Sequence, residues 1–456
     1  MRKVIIILTL ISTSYLFAGE QTAKEIAEAA RDGSSESLAQ LEEMADGGNA
    51  DAQYELGRMY HDGAGVRLDN GLAKKWFERS VARGNPKALY KLAVMYKYGR
   101  GTVRDLDKAQ EYFKKAFAGI EEPANQGDAE AQYLFGNMYY HGNGTAVDNR
   151  KAYDWFSRAA KVGNYTAQYA LGYMYLYGEG VQQDDIKSTK WFSKALPALR
   201  KAAEHGDIYA QLDLGNMLYS GYGVPEDETR AAEWYSKAAE RGFADAQYEL
   251  AVMYGAGRGV KADQCKEDEL LEKAAEQGHL KAQLRLAKIC DWRRQYEQAF
   301  KWYRRAAEQV HSGAMYELAS MYDAGRGVEQ SKEKAAEWCE RAAEHGYIQA
   351  QSDMGYLYEH GEGVEQDYSK AFEWYCKASE RGYPIAQLRL SYLYSKGLGV
   401  SVGRVKAYKW CVLSGRDASI LDDARKQKEL LEKTMSEDEI KEAMNLAEQW
   451  YRDYER

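Results

Sequence analysis

AQYELGRMY, from Ala52 to Tyr60, recurs as AQYLFGNMYY from Ala131, AQYALGYMY from Ala167, AQLDLGNMLY from Ala210 and AQYEL from Ala246. Further copies begin at Ala88, Ala282, Ala314, Ala350 and Ala386, and the interval is mostly 36 residues. A fixed period of this length marks stacked repeats, not one globular core. Within one unit, Ala52, Leu56 and Met59 share a helical face. After a glycine turn, Ala73, Trp76, Phe77, Ser80 and Val81 follow at i, i+3, i+4, i+7 and i+8. Each unit therefore reads as two amphipathic helices, A and B. They are joined by GxGV turns at Gly63, Gly178, Gly221, Gly257, Gly325, Gly361 and Gly397, and a glycine such as Gly84 or Gly163 closes helix B. Neither helix can bury its apolar face alone, so the hairpins must stack.

With both halves in place, AQYxLGxMYxxGxGV and KAxxWFxxAAxxG, the sequence resembles the Sel-1-like repeat family over about residues 36 to 415. These repeats are relatives of tetratricopeptide repeats with a longer turn between helices A and B. The resemblance implies an all-α, right-handed superhelical solenoid of about ten antiparallel helical hairpins, helix A inside and helix B outside. In bacteria it implies exported adaptors or host-interaction proteins, or envelope scaffolds and regulators. The expected division is a signal peptide at 1–18, an N-terminal helical cap at 19–49, the repeats at 50–415 and a C-terminal helical cap at 416–456. Two intervals, 88 to 131 and 167 to 210, are 43 residues, which extends helix B or kinks it at Pro123 and Pro197. The unit after Ala282 loses its GxGV turn and reads CDWRRQY from Cys290, so its hairpin closes more tightly.

Met1, Arg2 and Lys3 precede an apolar run to Phe17 and the small residues Ala18 and Gly19, the pattern of a secretory signal peptide. The run is too short for a stable membrane anchor. A periplasmic or secreted protein is expected, not inserted in a membrane after cleavage. The 62 basic and 70 acidic side chains give a formal net charge of −8, which disfavours nucleic acid as a partner.

The GxG turns follow no strand and precede no GK[ST], and their place in each hairpin marks them as structural turns. No GxSxG, HExxH or CxxC motif occurs. The seven His are scattered at repeat positions, so no catalytic residue, metal or cofactor is expected, and the chain reads as a non-enzyme. Gln53, Gln132, Gln168 and Gln247 read as partners for backbone groups. The Trp stripe of helix B, Trp155 among it, reads as core. Five Cys leave at least one thiol outside any intrachain pair. Cys265 begins one helix B and Cys290 ends the next helix A, which makes them a candidate disulfide.

If the tetratricopeptide register carries over, Asp51, Tyr54, Arg58 and His61 of the first full unit face the inner groove. The same register gives Tyr98, Asn137, Tyr140, Tyr173, Tyr177, Asn216 and Tyr219, and later Tyr356 and Tyr392. Such tyrosines form a contact surface of low entropic cost. The expected function is a monomeric protein–protein interaction module whose Tyr-lined groove holds a host or envelope protein. An alternative is a periplasmic scaffold or regulator of envelope or polysaccharide machinery. A hydrolase of cell-wall-like compounds, as among Cys-rich relatives, is disfavoured because the repeats lack paired Cys.

Overall fold

Helix B begins the same way in almost every repeat, because an Asp sits six residues after the glycine that ends helix A. In a computed structural model, which describes residues 21–454, Asp69 accepts a hydrogen bond from the Leu72 amide at 2.8 Å, and its own N–H donates to the Tyr60 carbonyl at 2.9 Å. Asp105, Asp148, Asp184, Asp227, Asp263 and Asp367 cap their helices likewise. The turn before the cap needs Gly99 and Gly101, both at positive φ. A side chain on Gly101 would also collide with the carbonyl of Asn70, the first residue of the preceding helix B. The segment read as a signal peptide, residues 1–18, lies outside the described residues.

Every described secondary-structure element is helical, and the chain falls into two units, Met1–Gly278 and His279–Arg456. In the first, α1 (Ala23–Arg31) and α2 (Ser35–Asp46) precede the hairpins. These are α3 (Ala50–Asp62) with α4 (Asn70–Ala82), α5 (Pro86–Tyr98) with α6 (Leu106–Asn125), and α7 (Ala129–His141) with α8 (Asn149–Lys161). They continue as α9 (Tyr165–Tyr177) with α10 (Asp185–Glu204), α11 (Ile208–Ser220) with α12 (Glu228–Glu240), and α13 (Ala244–Ala256) with α14 (Gln264–Glu276). The second unit pairs α15 (Leu280–Trp292) with α16 (Tyr296–Glu308), and α17 (Ser312–Ala324) with α18 (Lys332–Glu344). It then pairs α19 (Ile348–His360) with α20 (Tyr368–Glu380), and α21 (Pro384–Lys396) with α22 (Arg404–Ser414). It ends with α23 (Leu421–Glu432) and α24 (Glu437–Tyr454), which packs Trp450 on Trp410 of α22 at 5.9 Å. Within each unit consecutive helices pack on one another up to α22, on which both α23 and α24 pack, so each unit is a solenoid of stacked hairpins. No described helix is long and apolar enough to cross a membrane.

The two long intervals extend helix B. Both α6 and α10 are continuous 20-residue helices with Pro123 and Pro197 inside them, against 13 residues for the other B helices of this unit. The extra residues change where the next hairpin docks. Gly180 abuts Asn149, the first residue of α8, but Gly144 abuts Phe113, two turns inside α6, and Gly223 abuts Phe192, two turns inside α10. At the other end the register is unchanged, since Gln132 Nε2 donates to the Ala124 carbonyl as Gln53 Nε2 does to that of Ala45. Gln168, Gln211 and Gln247 repeat this bond, so the glutamine column serves backbone carbonyls as the sequence suggested. The turn between α15 and α16 is short, and Arg294 takes a left-handed φ of 61° in it.

Two expectations need correction. Trp302, Trp374 and Trp410 are buried, but Trp155 is part-exposed, with Arg158 over its ring at 4.2 Å. Arg79, Lys194, Lys237 and Arg341 cover Trp76, Trp191, Trp234 and Trp338 in the same i, i+3 way. The fully enclosed slot of these helices is the next residue, Phe77, Phe156 or Phe192. The expected bridge between Cys265 and Cys290 is not formed, and both residues are thiols. Cys265 faces solvent, whereas Cys290 is buried beside Tyr303.

Candidate functional site

The A helices of the first unit turn their inner faces toward one another. Tyr54 is fully buried and its hydroxyl donates to Glu130 Oε1 at 2.8 Å, linking α3 to α7 across an intervening repeat. Arg58 pairs with the same carboxylate at 2.8 Å and lies 3.6 Å from Glu55. Tyr90 donates to Asn137 Oδ1 at 2.8 Å. Contacts that skip a repeat require tight curvature with helix A inside.

The curve returns on itself within this unit. His61 stacks on Tyr209 at 5.3 Å, and its Nε2 lies 3.2 Å from the Tyr209 hydroxyl. Arg100 pairs with Asp245 at 3.0 Å and donates to the Tyr209 hydroxyl. Arg241 donates to the carbonyls of Gly63 at 2.7 Å, Val66 at 3.1 Å and Gly206, while the Gly65 N–H donates to the His205 carbonyl at 3.2 Å. These bonds form a clasp between the first two hairpins and the fifth and sixth.

The enclosed charges divide into two kinds. Burial alone would raise the Glu130 carboxyl, but Arg58, Lys87 and Lys91 outweigh it and hold it low. Burial likewise opposes Asp62, which Lys91, His61 and Arg58 hold below the usual carboxylate range, and burial lowers His61 itself. Asp213 behaves oppositely: burial and the nearby Asp207 push it up to about 7. Asp207 rises to about 6 through burial and Asp62, although it caps α11 by accepting the Tyr209 and Ala210 amides at 2.9 and 3.0 Å.

The residues read from the sequence as groove-lining therefore meet two fates. Arg58, His61, Asn137, Tyr140, Tyr173, Asn216 and Tyr219 are engaged by the chain itself. Tyr140 donates to Glu179, Asn216 accepts from Tyr235 at 2.7 Å, Tyr219 accepts from Arg258, and Tyr173 sits among Tyr169, Tyr177, Phe192 and Tyr222. By contrast Tyr98, Tyr177, Tyr356 and Tyr392 are exposed. Trp292, at 80% the most exposed aromatic side chain among the described residues, was missed, although its place near the end of helix A matches that of Tyr98 and Tyr177. Asp213 and Tyr169 were missed too; the run Tyr165, Tyr169, Tyr173, Tyr177 at four-residue intervals was the available signal.

The Sel1 repeat family model matches residues 50–85, 86–119, 129–164, 166–196, 208–243, 244–266, 269–279, 281–311, 312–347, 348–383 and 384–414. The chain belongs to the Sel1 repeat family. Eleven matched segments fall on ten hairpins, because 244–266 and 269–279 are parts of the α13–α14 pair. Sel1 repeats are generally protein–protein interaction modules and typically not enzymes. One similar solved structure, a protective antigen of uropathogenic Escherichia coli strains with an SLR fold, is 32% identical, covering 91% of this chain and 95% of its own with a TM-score of 0.37. A Sel1 repeat protein from Oxalobacter formigenes is 28% identical, covering 89% and 95%, with a TM-score of 0.36. An immunity protein from Pseudomonas aeruginosa is 20% identical, covering 50% and 81%, with a TM-score of 0.29. No curated protein matches the chain at a significant level.

Proposed function

We propose that this Sel1 repeat chain is an exported, non-enzymatic module that holds a partner protein on the inner faces of its A helices. The observation that supports this is the distribution of exposed aromatic side chains. Of the six exposed Tyr and Trp among the described residues, Tyr98, Tyr177, Trp292, Tyr356 and Tyr392 lie on A helices and only Tyr454 lies elsewhere. Aromatic side chains left in water at repeated positions are surfaces that gain most when a partner covers them. The export reading rests on the pattern of residues 1–18, and the partner is a host or envelope protein. The test begins with capture of a partner from envelope or host extracts by the purified chain, followed by titration with the double variant Tyr356→Ala, Tyr392→Ala. Loss of about 2 kcal/mol or more of binding free energy, with an unchanged circular dichroism spectrum, is expected. Equal affinity of parent and variant would remove these residues from the partner surface.

A further inference from the structure

One stripe of α9 carries Tyr165, Tyr169, Tyr173 and Tyr177, and it leads from solvent to a carboxylate. Tyr177 is 60% exposed and stacks on Tyr173, with ring centroids 6.0 Å apart and planes at 7°. Tyr173 meets Tyr169 edge-on at 5.0 Å, with their hydroxyls 3.1 Å apart. The Tyr169 hydroxyl in turn lies 3.5 Å from the backbone carbonyl of Asp213 on α11. The Asp213 charge reaches Tyr133 of α7 as well as Tyr169 and Tyr173, so the carboxylate sits among tyrosines from two neighbouring helices. Asp213 keeps part of its surface open although protein encloses it.

Asp213 also differs from the paired acids of this interior, and from Asp207, which has no ion pair among the described residues but accepts the Tyr209 and Ala210 amides. Glu130 has Arg58, Glu55 has Arg31, Asp62 has His61 and Asp245 has Arg100 within ion-pair distance. Asp213 forms no ion pair among the described residues. An enclosed carboxylate without a counter-cation is costly, and tyrosine faces present the negative side of the ring quadrupole to whatever enters. Both features fit one ligand chemistry, a compact positive charge on a short carbon stem.

We propose that the α9 tyrosine ladder and Asp213 form a binding site for an organic cation, an ammonium or guanidinium group that is either free or carried on the basic side chain of a partner. The site shares Tyr177 with the exposed set, but its test reads Asp213 and Tyr173, which lie outside that set, so it is separate from the test at Tyr356 and Tyr392. The test is isothermal titration of the folded chain with matched probes. Butylamine is compared with butanol for the free ligand, and acetyl-Gly-Lys-Gly-amide with its norleucine counterpart for the side chain. The charged member of at least one pair should bind and its neutral match should not. Binding of butylamine identifies a free amine as sufficient; binding of the lysine peptide alone identifies a side chain held by its backbone. Asp213→Asn should lower that affinity about tenfold or more while leaving the thermal midpoint equal or higher. Tyr173→Phe, which keeps the ring, should bind like the parent. Equal binding of charged and neutral probes, no binding of either cation, or an Asp213→Asn variant that binds as the parent does would overturn the proposal.

Discussion

Among the described residues, Val310 and Arg294 are the non-glycine residues held at positive φ, 64° and 61°, and Val310 stands where other B helices end in Gly84, Gly163 or Gly242. The left-handed region costs an ordinary residue about 1–2 kcal/mol, and a β-branched one is least suited to it. Glycine's extra chain entropy returns part of that gain. Val310→Gly should therefore stabilise the fold by roughly 1 kcal/mol, read as a higher urea midpoint; a lower midpoint would mean that the half-exposed isopropyl group makes a contact worth more than the strain. Asp213 and Asp207 give a pH signature. Their folded values, about 7 and about 6, lie above the ordinary carboxylate value, so the stability they allow is full below about pH 4 and falls as pH rises through 7. His61 runs the other way, since burial lowers it and its contribution is lost as pH falls below its ordinary value. The titratable groups facing the pair are Asp62, Arg58, Arg31 and Arg241 around Asp207, and Asp207 and the neutral Tyr169 beside Asp213. Asp213→Asn should raise stability at pH 8 by an amount on the order of 1–3 kcal/mol and leave it unchanged at pH 4, measured by chemical denaturation at both. An equal effect at both pH values would show that Asp213 is not charged in the folded chain at pH 8.

Helix B shows how far the element scale was legible. Period and length were plain, because Ala and aromatic residues recur at helical spacing and glycine punctuates every hairpin. Which of two adjacent aromatics fills the core was not, because Trp155 and Phe156 differ by only 100° around the helix and both continue an apolar face. Nor does the basic residue three positions after the Trp decide it, since Arg305 and Lys377 lie over the buried Trp302 and Trp374 just as Arg158 lies over Trp155. Phe156→Ala should cost about 3–5 kcal/mol through the cavity it leaves, and Trp155→Ala distinctly less. Thermal unfolding of the two variants checks the order, and a larger loss at Trp155 would restore the reading of the indoles as core. The groove assignment had the same weakness. Arg58 and Tyr173 do lie on the inner face of helix A, but position within one repeat does not reveal that the face is already occupied by residues from other repeats.

At the scale of the molecule, that occupation follows from curvature within the first unit, which brings chain segments some 150 residues apart into contact. No local pattern announces Arg241 as the residue that joins the turn after α3 to the loop after α10. Arg241→Ala should leave three carbonyl oxygens without this donor and cost about 1–3 kcal/mol, with faster hydrogen exchange at the Gly65 amide. Unchanged exchange there would show that the clasp holds without the arginine. The long helices α6 and α10 set where each following hairpin docks, and their seven added residues are not an arbitrary number. Seven residues rotate a helix to within about 20° of two whole turns, so the buried stripe leaves the insertion in the phase in which it entered. Five or six would swing it away from its partners. Each heptad therefore shifts the docking point of the following hairpin by about 10 Å along helix B while keeping the buried stripe in phase, so the offset between neighbouring hairpins changes by whole helical turns and not by arbitrary amounts.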